Sequence, residues 1–79
     1  MTLTLIYFAA LRDLTGIAQE NIEVSLGTKV HQLAELVLMR HPAMHLEGVR
    51  VAVNEEFSDD SHCLNEGDIV AFIPPVSGG

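Results

Sequence analysis

Residues 29–41 hold the one long amphipathic helical pattern in the chain. Val30, Leu33, Ala34, Val37 and Leu38 recur at i, i+3, i+4, i+7 and i+8, which lays a single apolar stripe along a helix. Pro42 ends it, because proline disfavours helix in the residue before it. Thr28, after Gly27, is the expected N-cap. One helix with one apolar stripe must cover a single apolar surface, and the remaining sequence supplies that surface as strands.

Residues 2–8, TLTLIYF, are β-branched and aromatic and predict a strand. Leu3, Leu5 and Tyr7 share one face; Thr4, Ile6 and Phe8 share the other, wetter one. Residues 9–15 turn helical in composition and Gly16 stops them. Residues 20–26 alternate, with Ile22, Val24 and Leu26 inward, and predict a strand antiparallel to the first. Val49, Val51 and Val53 alternate again within 49–54. Residues 55–63 form a polar, acidic loop with room for a short edge strand around Phe57. Asn65-Glu66-Gly67-Asp68 is a turn sequence, and IVAFI at 69–73 is a last strand. The first and last strands are apolar on both faces and belong at the sheet centre. This order predicts an α+β, β-grasp (ubiquitin-like) fold: a mixed sheet of four to five strands with one main helix on one face. Residues 1–73 form the domain and 74–79 a flexible tail ending in Gly-Gly.

Composition narrows the function. The chain has 79 residues, 48% of them apolar, so one small domain with a real core is expected. Eleven acidic against four basic side chains leave a net charge of −7. Nucleic acid and anionic membranes recruit Lys and Arg, so neither is the expected partner. Cys63 is the single cysteine, the opening residues lack a basic signal-peptide start, and no apolar run approaches the ~20 residues of a membrane span. A cytoplasmic protein is expected.

Motifs for self-sufficient chemistry are missing. There is no GxxxxGK[ST], GxGxxG, CxxC or HExxH, and the only lysine, Lys29, lies in LGTKVH. His41 and His45 have i, i+4 spacing, but Pro42 between them breaks the helix that would give the spacing meaning. With His31 and His62 they are read as solvated surface histidines. Cys63 has no neighbour placed to activate a thiol, and Glu55-Glu56 and Asp59-Asp60 are read as solvating charge. No metal or cofactor site is expected.

The tail is different. Pro74-Pro75 is a stiff, extended spacer, Val76 an apolar anchor, Ser77 small, and Gly78-Gly79 can thread a narrow channel. Six residues at ~3.3 Å each reach about 20 Å. Such a tail is suited to delivering the α-carboxylate of Gly79 into another protein's active site. A carboxylate is a poor electrophile and must first be activated, and a partner has to supply that step.

The segments FAALRDLTG and GDIVAFIPPVSGG, with Val53-Asn54, Leu64, Gly67-Asp68, Val70-Ala71 and Pro74-Pro75-Val76 to Gly78-Gly79 in the same order and spacing, closely resemble the sulfur-carrying small subunits of molybdopterin synthase, the MoaD family. The resemblance covers essentially the whole chain. It implies that an E1-like enzyme adenylates the Gly79 carboxylate with ATP, and that a persulfide donor converts it to a thiocarboxylate. The tail then enters the large subunit, which supplies the catalytic side chains, and gives sulfur to a cyclic pyranopterin within a heterotetramer. Alone the chain is expected to be non-catalytic. Phe8, Ala71 and Ile73 are the expected apolar partner contacts beside the tail, with Arg12 and Asp13 structural or at the rim. The alternatives are a carrier for thiamine thiazole or tRNA thiolation, a ubiquitin-like protein modifier, and an interaction module with an incidental tail.

Overall fold

Leu3, Leu5 and Tyr7 alternate into the core along the first strand, and pairing along both of its edges places that strand inside the sheet. The computed structural model describes residues 1–75. Its elements are β1 (Thr2–Tyr7), α1 (Ala9–Thr15), β2 (Gln19–Glu23), α2 (Val30–Arg40), β3 (Arg50–Val53), β4 (Glu56–Phe57) and β5 (Ile69–Ile73). The five strands are ordered β2-β1-β5-β3-β4. β1 and β5 pair in parallel, and the other neighbours are antiparallel. This is the expected β-grasp: a mixed sheet, first and last strands adjacent in its interior, the main helix over one face. A parallel pair cannot be closed by a hairpin, so the chain between β1 and β5 has to cross over, and α2 lies in that crossover.

The core forms where the helix stripe meets the inward face of the sheet. Val30, Leu33 and Val37 of α2 pack with Leu3, Leu5, Tyr7, Ile22, Val53, Val70 and Phe72 of the strands. Met44, Leu64 and Leu11, from loops and α1, seal its ends. Gly16 takes φ +77° after α1, and its amide closes that helix on the Arg12 carbonyl at 2.9 Å. Among the described residues, no helix is long and apolar enough to cross a membrane.

Three local expectations are corrected. Leu26 does not face the core and is 84% exposed. β2 ends at Glu23, and the chain turns at Leu26 and Gly27 (φ +84°), so the strand alternation stops short of it. Thr28 does not cap α2, because its hydroxyl donates to the Ser25 carbonyl at 2.7 Å. The cap position is Lys29, whose amide donates to Gln32 Oε1 at 2.9 Å. The Val30 and His31 amides donate to the carbonyls of His62 and Asp60, both at 3.0 Å. The polar loop thus satisfies two of the free amides of the helix start, and Asp59 folds that loop by accepting from the Ser61 amide and hydroxyl.

The third correction is His41, which is not a solvated surface group. Glu20 stands on the inward face of β2, in phase with Ile22. Its carboxylate accepts from Tyr7 Oη at 2.6 Å, His41 Nε2 at 2.7 Å and Arg40 Nη1 at 2.9 Å. The His41 ring meets Tyr7 edge-on at 5.6 Å, and Tyr7 stacks on Phe72 at 6.0 Å. One carboxylate therefore ties an edge strand, an interior strand and the end of α2 together. Burial by itself would raise the Glu20 pKa; the hydrogen bonds from Tyr7, His41 and Arg40 outweigh it and hold the carboxyl below the usual glutamate range. Burial first, then the bond to Glu20 and its charge, push the Tyr7 phenol well above its ordinary range.

Leu33→Ala, at a side chain only 1% exposed, is expected to cost about 2–5 kcal/mol out of a total near ~4–12 kcal/mol for a domain of this size. Denaturant titration measures it. Because the folded Glu20 pKa is depressed, its contribution is present above the unfolded pKa and is lost as pH falls through the folded value. Stability should therefore drop below about pH 4.5, the ordinary value. Tyr7 has the opposite sign: its contribution is complete below its ordinary 10.0 and declines above it. Thermal melts of wild type and Glu20→Gln across pH 3–7 read the acid limb, which the substitution should flatten.

Candidate docking face and tail root

Among the described residues, no helix covers the sheet face away from α2, where Phe8, Ile69 and Phe57 are exposed. Register aligns one rung across all five strands on this face: Gln19, Ile6, Ala71, Ala52 and Phe57. The two central side chains are single methyl groups, and larger ones surround them. Ile6, Phe8, Ile69, Ile73 and Phe57 form the walls of an apolar trough, whose floor is Ala71 and Ala52. Phe8 is 45%, Ile69 46% and Phe57 57% exposed, so large apolar side chains face water together. Grouped exposure of this kind, unlike a scattered exposed leucine, makes the trough a candidate interaction surface.

Local sequence explains how the walls are held. Phe8 ends β1 in extended conformation, and Ala9 at φ +47° turns the chain abruptly into α1, leaving Phe8 on the open face. Arg50 lays its guanidinium over the Phe57 ring, 3.6 Å from the centroid, and props that ring at the β4 edge. Asn54 locks the β3–β4 turn to the start of β5. Its Oδ1 accepts from the Ile69 amide and its Nδ2 donates to Asp68 Oδ1, both at 2.9 Å. Asp68 is buried and also accepts from the Asn65 amide at 2.7 Å. The Val53-Asn54 and Gly67-Asp68 pairs are thus bonded to each other and shape the trough rather than react.

Of the expected contact residues, the structure brings Phe8, Ala71 and Ile73 into this one trough. Ile6, Ala52, Phe57 and Ile69 were missed by sequence reasoning. Their signal was present as period-two alternation with Phe8 and Ala71, but only pairing register shows that they meet. Arg12 and Asp13 are exposed on α1. β5 leads directly from the trough into Pro74, which is half-buried, and Pro75, which is exposed. The Pro75 ring packs over Gly48, where an added Cβ would lie 3.2 Å from Pro75 Cγ. Gly48 also takes φ +74°, a backbone conformation that favours glycine, and any side chain there would press on the Pro75 ring. The tail root is braced against the loop before β3. Val76, Ser77, Gly78 and Gly79 lie outside the described residues.

The remaining candidates are dispersed. His31, His45, His62 and Cys63 are exposed, and Cys63 forms only an isolated bridge with Lys29. Among the described residues, no group of three or more His, Cys, Asp or Glu side chains could hold a metal ion.

Comparison with known proteins agrees with this architecture. The ThiS family model matches residues 5–79. A molybdopterin synthase sulfur carrier subunit of Mycobacterium tuberculosis is 38% identical over 77 residues, covering 94% of this chain and 93% of that one. The protein of the same name from Chlamydomonas reinhardtii is 32% identical and covers both chains fully. The crystal structure of SAMP1 from Haloferax volcanii matches with a TM-score of 0.88 over the full length of both chains at 24% identity, a likeness of fold. The chain belongs to the ThiS family and, with relatives this similar over nearly its whole length, to the molybdopterin synthase sulfur carrier subunits.

Proposed function

We propose that this chain carries sulfur to a molybdopterin synthase on the carboxylate of Gly79. Residues 1–73 are the docking body and 74–79 the reactive tail. The observation that carries the reading is the continuity of the apolar trough with the tail root: Phe8, Ala71 and Ile73 line the trough, and β5 runs from it into Pro74 and Pro75. A partner that covers the trough receives the tail beside it. An E1-like enzyme adenylates the carboxylate with ATP, releasing pyrophosphate. A persulfide sulfur then displaces AMP to give an acyl disulfide. A thiol attacks the outer sulfur of that disulfide, forming a new disulfide with the donor's sulfur and releasing the Gly79 thiocarboxylate. In the large subunit the thiocarboxylate sulfur attacks a side-chain carbon of the pterin precursor and displaces its oxygen substituent. Water then cleaves the resulting thioester, leaving sulfur on the pterin and releasing the Gly79 carboxylate. Pro74, Pro75, Val76, Ser77 and Gly78 position the terminus, and catalytic side chains belong to the partner. The net charge of −7 favours a basic receiving surface.

Incubation with the E1-like enzyme, ATP and a persulfide source should raise the mass of the intact chain by the difference between one sulfur and one oxygen. The chain lacking Gly79 should fold and stay unchanged in mass. A sulfur gain without Gly79 would refute the mechanism, and Gly79-dependent adducts on target lysines would favour a protein modifier. Ala71→Arg places a bulky charge on the trough floor. It should weaken binding of the large subunit at least ~10-fold, by analogy with loss of a central interface anchor, while leaving the melting temperature nearly unchanged, as titration calorimetry and thermal melts would read.

A further inference from the structure

The two-residue turn between β3 and β4 carries strain that the fold does not require. Val53 pairs with Glu56, and the two residues between them, Asn54 and Glu55, have φ of +51° and +73°. Both central positions of such a turn need left-handed backbone, which Asn-Gly satisfies best. Asn54 suits its position and bonds to Asp68 and Ile69. Glu55 does not suit its own, because a Cβ in the left-handed region crowds the backbone. Nor does its side chain gain a local bond: among the described residues Glu55 has no ion pair and no hydrogen bond. It is exposed, and it lines the apolar trough together with Phe57 and Ile69. Arg50, the cation on β3, pairs with Ile73 at the far end of that strand and lays its guanidinium on the Phe57 ring.

We propose that Glu55 is a recognition residue, which pairs with a Lys or Arg of the partner surface that fills the trough. The inference rests on the docking reading above and adds to it where the partner must be basic. Strained backbone persists where function holds it. A carboxylate at the rim of an apolar contact raises the association rate and its salt dependence. In this position it also fixes the partner's orientation relative to the tail, since Glu55 and Pro74 lie at opposite ends of β5 along the trough: Asn54 bonds the amide of Ile69, and Pro74 follows Ile73.

The test uses the full chain and the large subunit of the same organism, with stopped-flow association at two ionic strengths and thermal melts. Glu55→Gln keeps size and backbone and removes charge. It should slow association about 3–10-fold at low salt, flatten the salt dependence and leave the melting temperature unchanged. Glu55→Gly should raise the melting temperature by about 4 °C and still slow association to the same degree. A purely structural residue would give the higher melting temperature with no loss of binding. Equal rates and equal salt dependence for wild type and both variants would overturn the inference and leave the docking reading intact. A wild-type chain that fails to bind the large subunit would overturn both.

Discussion

Parallel pairing of β1 with β5 is the constraint on which the rest of the molecule depends. It joins the two ends of the described chain, with Tyr7 opposite Phe72 and Ile6 opposite Ala71. Parallel strands need a crossover, and the crossover carries α2 over one face. The covered face becomes the core, and the opposite face is left to the solvent or a partner. The same pairing sets Phe8 and Ile73, far apart in sequence, along one trough from which β5 runs into Pro74 and Pro75.

Polar groups fix this arrangement at its margins. Glu20 gathers Tyr7, Arg40 and His41, so the edge strand β2 cannot slip relative to β1 or the helix end. A one-residue slip would send Ile22 outward and Glu20 with it. At the opposite margin Asn54 and Asp68 bind the β3–β4 turn to β5. Together they hold rigid a sheet whose open face has small methyl groups at its centre.

The strands, the main helix and their faces were legible in the sequence wherever a period was long enough to read. Leu3, Leu5 and Tyr7 lie where alternation puts them, and Val30, Leu33 and Val37 where the helical period does. The reading failed where a short segment borrowed the pattern of a longer one. Leu26 continues the alternation of Ile22 and Val24 on paper, but Gly27 has already turned the chain. Thr28 resembles a cap, yet distant carbonyls from the 60–62 loop reach the helix amides first. His41 looked like any loop histidine because its partner, Glu20, stands 21 residues away. Three of the seven apolar trough residues, Phe8, Ala71 and Ile73, were legible, whereas Ala52 and Phe57 needed the β3–β5 and β3–β4 registers.

Sequence by itself determined the element types, the inward faces and the chemical character of the tail, because periodicity, proline and glycine act through local geometry. The family too was readable there, since its motifs are short runs at fixed spacing. Tertiary structure alone decided which exposed apolar side chains form one surface, which carboxylate is an anchor and which glutamate, unpaired among the described residues, sits in left-handed backbone. Those properties depend on strand register and on contacts between residues far apart in the chain, and a one-dimensional pattern does not encode them.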